Sequence, residues 1–205
     1  MNMHAQLQLT PAESALVEGF LARMSDLPGD AETTVLRDEA IEQVKVGLPT
    51  RRIEAWHYTD LRRLLTIVPD FDPSAKARAR ASVLEGSTVL PVLNGVAAPA
   101  PAIEGVTVQP LAQLLREGAA KMPMPSAEDA IGTLNTALVS DGYRLSLDAG
   151  VALAAPVELQ NIHAGGQAHA RFDVAIGAGA KATFIERQTG EGSALVSSIS
   201  ALDLA

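Results

Sequence analysis

A chain of 205 residues that is 47% hydrophobic carries enough apolar side chains for one large domain or two small ones. Its 16 basic and 24 acidic residues give a net charge of −8, which argues against a nucleic-acid partner or attachment to an anionic membrane surface. There are no cysteines, so disulfides and thiolate metal sites are excluded and a reducing cytoplasmic setting is permitted. Aromatics are only 3% of the chain, which makes Trp56, the one tryptophan, an exceptional side chain.

The first residues show no basic leader followed by an apolar run, and no stretch of about 18 consecutive apolar residues occurs, so neither a secretory signal nor a membrane span is expected. The first helix starts at Thr10-Pro11 with Glu13 completing a capping box. Leu16, Phe20 and Met24 repeat on one face, widened by Val17 and Leu21, and Pro28-Gly29 ends the run. A second helix, capped by Asp30, is expected to bury Leu36, Ala40, Ile41 and Val44 before Gly47 and Pro49 stop it. A short third one carries Leu61, Leu64 and Leu65 and closes at Pro69 to Pro73.

Residues 74 to 125 mix short apolar strands, Val89 to Leu93 and Val106 to Val108, with prolines. Asn94-Gly95 marks a hairpin. Helices are expected over Leu111 to Ala120 and Ser126 to Val139, the latter capped by Ser126. After Asp141-Gly142 the pattern changes to short strands, with alternation through Tyr143, Leu145 and Leu147 and through Ala170, Phe172, Val174 and Ile176. Turn signals recur at Ala149-Gly150, Gly165-Gly166, Gly177 to Gly179 and Gly190 to Gly192. Periodicity leaves a sandwich, a barrel and a β-solenoid open. The last residues still read as a strand with no closing segment, so the chain reads as a fragment.

The most distinctive stretch is GLPTRRIEAWHYTDL, Gly47 to Leu61. It resembles the N-terminal signature of SufD-type proteins of the SufB/SufD family, Gly-(Leu/Phe)-Pro-Thr-Arg-(Lys/Arg)-x-Glu-x-Trp-(basic)-Tyr-Thr-x-Leu. Arg51, Arg52, Glu54, Trp56, Tyr58 and Thr59 fit that pattern, with Gly47, Pro49, Thr50 and Leu61, whereas His57 stands where Lys or Arg is usual. Leu134 to Leu159 is similar to the family's passage from a helix into its first β-helix coils, and His169 to Glu186 to its His-x-Arg, strand, small-residue turn, strand and Glu. The resemblance implies an α+β chain: a helical and mixed α/β region over residues 1–140, then, over residues 141–205, the first coils of a right-handed parallel β-helix. It implies a non-catalytic scaffold subunit of the iron–sulfur cluster assembly machinery, working with SufB-like and SufC-like partners, the latter an ATPase. The cluster would be assembled by the parent complex, with no cofactor bound by this chain.

Each site carries a plainer reading beside that one. Trp56 and Tyr58, with Arg51 and Arg52, suit a recognition surface; the preferred reading packs both aromatics on the helices and pairs Arg51 or Arg52 with Glu54, since so aromatic-poor a chain should bury its tryptophan. His57, His163 and His169 lack the i, i+4 spacing of a helical metal site, and surface or hydrogen-bonded roles are preferred. The run Gly177 to Ala180 reads as a tight corner rather than a phosphate loop. Ser197, Ser198 and Ser200 lie in an apparent strand with no histidine nearby, so no catalytic triad and no metal site is assigned, and Glu186 is assigned no role beyond its strand. The paired acids Asp38-Glu39 and Glu128-Asp129 read as solvated helix surfaces or first turns.

The expected partner surface is the β-helix edge or face after residue 141, which also permits a homodimer. A β-helical carbohydrate-active enzyme and a self-pairing adaptor are the competing classes. The former needs clustered carboxylates along a groove, and residues 141–205 supply few.

Overall fold

In a computed structural model the structure describes residues 8–72 and 74–205; the first seven residues and Pro73, which entered the sequence reading, lie outside them. The protein is mixed α+β, with five α-helices and one six-stranded mixed sheet among the described residues. No helix there is long and apolar enough to cross a membrane.

Helix α1 (Pro11–Arg23) begins as expected, with Thr10 accepting from the Glu13 amide and the Glu13 carboxylate accepting from the Thr10 amide. Glu13 does more than cap. It is fully buried, accepts the Leu48 amide at 2.7 Å and meets Arg62 Nε at 3.1 Å, so one carboxylate ties the start of α1 to the chain leaving the next helix. Leu16, Val17 and Phe20 are buried, but Leu21 and Met24 are exposed. The buried stripe is therefore narrower than the periodicity suggested, because α1 packs on one side only. Helix α2 (Ala31–Lys45), capped by Asp30, buries Ala40, Ile41 and Val44 as expected, while Leu36 packs partly buried beside Leu115 and Met122. The short helix α3 (Leu61–Leu64) turns Leu61 and Leu65 toward that helical core and leaves Leu64 exposed.

Strand β1 (Thr88–Leu93) turns back through Asn94 and Gly95, both at positive φ (47° and 77°), into β2 (Val96–Ala97), the hairpin that Asn-Gly demands. After β3 (Val106–Pro110), helix α4 (Leu111–Arg116) is shorter than expected. Helix α5 (Ala130–Leu138) starts at Asp129, whose carboxylate accepts the Gly132 amide, and not at Ser126. Asp129 serves as the cap because its side chain reaches an orphan first-turn donor.

The largest departure lies after residue 141. The expected short strands are β4 (Asp141–Leu147), β5 (Val157–Ile176) and β6 (Phe184–Leu204), the last two 20 and 21 residues long. Gly165-Gly166, read as a turn, is instead an irregularity inside β5, where the register against β6 slips between Ala164 and Gly166. Positive φ values of 89° and 72° let the strand bend there without breaking.

β5 is the organising strand. Its first third pairs in parallel with β1, its last third in parallel with β4, and nearly its whole length with β6. Asp141 stands over Ala170 and Ala170 over Ser198, so successive layers are offset by 29 and 28 residues, and by 27 from Val157 to Phe184. The corners stack as well: Gly177 donates to Leu147 O, Gly150 to Ala178 O, and Lys181 to Val151 O. β3 closes one side antiparallel to β4, and strands before and after residue 141 thus share one sheet.

The sheet curls into a nearly closed, barrel-like arrangement whose inner faces meet over Leu90, Val92, Tyr143, Leu145, Val157, Leu159, Phe172 and Val174. Tyr143 spans it. Its ring lies 6.5 Å from that of Phe172, and its hydroxyl sits between the Pro91 and Ala98 carbonyls at 3.0 and 2.5 Å. Burial together with the neighbouring Asp141 charge pushes the phenol up, so it stays a donor at any ordinary pH.

Candidate interaction surface

The stretch from Gly47 to Leu61 leaves α2 through Gly47, whose φ of 109° only glycine adopts easily. From there it is a string of tight turns: Ile53 donates to Thr50 O, Trp56 to Ile53 O, and Thr59 to Trp56 O. Its base is anchored by Glu13 to Leu48 and Arg62, and by Arg62 N to Pro49 O. A single 3-10 turn, Glu54–Trp56, forms the tip.

The expectation that the aromatics pack away is corrected here. Tyr58 is 85% exposed, Trp56 is only half-buried, and its indole nitrogen donates to Glu128 O at 2.7 Å. Arg51, Arg52 and Glu54 are all exposed, and among the described residues no ion pair joins them. The reason is geometric: the hydrogen-bonded turn from Thr50 to Ile53 and the 3-10 turn after it carry the tip off the helices, and of these side chains the indole is the one that bonds to a neighbouring helix's cap region. His57 donates from Nδ1 to Glu54 O at 2.7 Å and lies over Tyr58, ring centroids 3.6 Å apart. Thr59 is half-buried. A shallow groove beside the tip is lined by Val44, Leu48, Pro49, Ile53 and Ala130. A rigidly based loop thus presents Ile53, Trp56 and Tyr58 among two guanidinium groups, which is the chemistry of an interaction anchor.

Two corrections concern β5 and β6. Ser197 does have a histidine beside it: parallel pairing puts it opposite His169, with His169 Nδ1 2.8 Å from Ser197 Oγ and His169 Nε2 3.3 Å from Gln167 Oε1. The amide oxygen can only accept, so Nε2 carries the proton and Nδ1 accepts from the serine hydroxyl. Ser197 Oγ in turn accepts from Asn135 Nδ2 on α5. Complete burial, and then the nearby Arg23 charge, push His169 down to about 3, which leaves a poor base. Ser197 is itself buried, so the pair works as a polar tie between the helices and the sheet.

The second is Glu186, whose two oxygens accept from Ser198 and Ser200 hydroxyls at 3.0 and 2.7 Å, linking the two ends of β6. No signal along the chain marks either grouping, because 28 and 12 to 14 residues separate the partners. His163 is half-buried, its Nδ1 without a partner, and no group of three or more possible metal ligands occurs among the described residues. Gly177 to Ala180 forms the corner between β5 and β6, with Ala180 N donating to Gly177 O. The pairs Asp38-Glu39 and Glu128-Asp129 separate in role, since Asp129 caps α5 while Glu128 lends its carbonyl to Trp56. No family model matches the chain, and no curated protein matches it.

Proposed function

We propose that this protein is a non-catalytic scaffold of iron–sulfur cluster assembly, similar to SufD-type members of the SufB/SufD family, and that β4, β5 and β6 are coils of a right-handed parallel β-helix. The observation that supports this reading most is the stacking of those strands in parallel at offsets of 27 to 29 residues with their corners in line. That is the repeat geometry of a solenoid. The exposed Arg51 to Tyr58 loop supports it in a second way, since a signature held off the core is suited to a partner rather than to packing.

The partners are SufB-like and SufC-like subunits, and assembly of a cluster on the complex needs ligands from outside this cysteine-free chain. Co-expression with those subunits from the same cell tests the reading. Retention of at least one of them on an affinity-tagged form of the protein is the expected outcome, and retention of neither overturns it. Tyr58→Ala is expected to change stability by no more than about 0.5 kcal/mol, since the side chain is exposed, and to weaken partner retention about tenfold. Titration by surface plasmon resonance measures the second effect.

A further inference from the structure

The basic residues close together along the chain are Arg51 with Arg52, Arg62 with Arg63, and Lys76 with Arg78 and Arg80, and the fold builds a further grouping from residues far apart in sequence. A cleft of about 560 Å³ opens between the segment after α4 and the outer face of β4, β5 and β6, and it is lined by Lys121, Arg144 and Arg171 together with Asp173 and Asp203. Arg171 is the unusual member. Its residue is 6% exposed, and its Nε donates to Asp173 Oδ1 at 3.0 Å. Its two terminal amino groups make no hydrogen bond to any described residue, and neither is sealed from solvent among the buried unpaired atoms. The free end of a buried guanidinium therefore faces the cleft.

The sheet register brings a second fork to the same place. Gly142 pairs with Arg171 and Arg144 with Asp173, so Arg144 and Arg171 are diagonal neighbours on one face, about 8 Å apart by ordinary strand rise and spacing. Arg144 gives only Nη1 to the protein, a 3.3 Å bond to Ala119 O, which aims the side chain along the cleft wall. Gly142 is needed for this approach, since any side chain there would collide with the Arg171 backbone. Lys121 sits at the rim on Glu32, and Asp173 is already engaged by Arg171. Two guanidinium groups with unused donors, one of them buried, form the geometry that binds an oxyanion through paired hydrogen bonds.

We propose that this cleft binds a ligand bearing one oxyanion group, a carboxylate or a phosphate, clamped between Arg144 and Arg171, with Asp173 fixing the Arg171 fork. This is independent of the scaffold reading. Isothermal titration of the chain with inorganic phosphate and with acetate, in chloride buffer at fixed ionic strength, tests it. Saturable binding of either probe is expected, and the one bound more tightly identifies the phosphoryl or the carboxylate source. Arg144→Gln is expected to keep the thermal midpoint and weaken that probe about tenfold; Arg171→Lys, which keeps the charge and loses the fork, is expected to weaken it similarly. Saturation by neither probe, or undiminished binding to Arg144→Gln, overturns the proposal, and the Arg144 variant decides the matter even if Arg171→Lys fails to fold.

Discussion

Arg37 on α2 closes its guanidinium over four carbonyl oxygens, those of Thr136, Ala137, Val139 and Pro28, at 2.9 to 3.1 Å, while only 3% exposed. It satisfies the last carbonyls of α5, which no residue of α5 itself could reach. Burial, and then the Arg23 charge, lower Arg37 to about 10, so it remains charged at neutral pH. Arg37→Met removes the donors and leaves the acceptors enclosed, and urea denaturation should show a loss of at least about 3 kcal/mol. His169 makes the complementary prediction. Its folded value of about 3 lies below the ordinary histidine value of 6.5, so the unfolded chain takes up a proton first as pH falls. Its contribution is fully present above pH 6.5 and is lost on the way down toward about 3, at about 1.4 kcal/mol per pH unit. Denaturation of wild type and His169→Gln at pH 7, 5.5 and 4.5, each value chosen to bracket roughly that window, should show that slope only in the wild type.

At the scale of elements, the described residues between Val68 and Val83 have little regular structure, yet they are strapped to the outer face of β5 by side chains that imitate a strand. The Gln160 amide accepts from Arg80 N and donates to Arg80 O, both at 3.0 Å. Glu158 accepts the Val83 amide at 2.7 Å, Gln167 donates to Pro69 O at 2.8 Å, and Phe71 lies under the Arg23 guanidinium. Such a segment needs no hydrophobic period of its own, which is why it carries no strand signal. Gln160→Ala should loosen it, and trypsin should then cleave after Lys76, Arg78 and Arg80 several-fold faster than in the wild type, with cleavage outside the strap unchanged. Equal rates would show that the remaining bonds hold the strap without Gln160.

For the whole molecule, β5 is the one long strand paired on both sides, whereas β6 has a partner only in β5 among the described residues. Hydrogen exchange should therefore be slowest in Val157 to Ile162 and Ala170 to Val174, and the β6 amides turned away from β5 should exchange fastest within the sheet. Mass spectrometry of peptides from the two strands measures the contrast; equal protection would place a further pairing along β6. That open side is also the surface on which a second strand, from a partner or another copy of the chain, would add.

Local chemistry alone determined the capping box of α1, the cap of α2, the Asn94-Gly95 hairpin, the inward alternation from Tyr143 to Leu147 and the passage from the last helix into strands near residue 141. Each depends on residues within one or two turns of each other, and that is the range over which sequence patterns carry structural information. Tertiary structure decided the rest. It joined the expected short strands into two long ones, because glycine at positive φ can bend a strand as well as end it. It exposed Tyr58 and left Trp56 half-buried, since burial depends on what the fold places opposite a side chain and not on how apolar that side chain is. It also brought Arg144 to Arg171, Ser197 to His169, and Arg37 to the end of α5, across 27, 28 and about 100 residues. Parallel pairing sets the first two of those meetings through a repeat of 27 to 29 residues, far longer than any period the side-chain pattern displays.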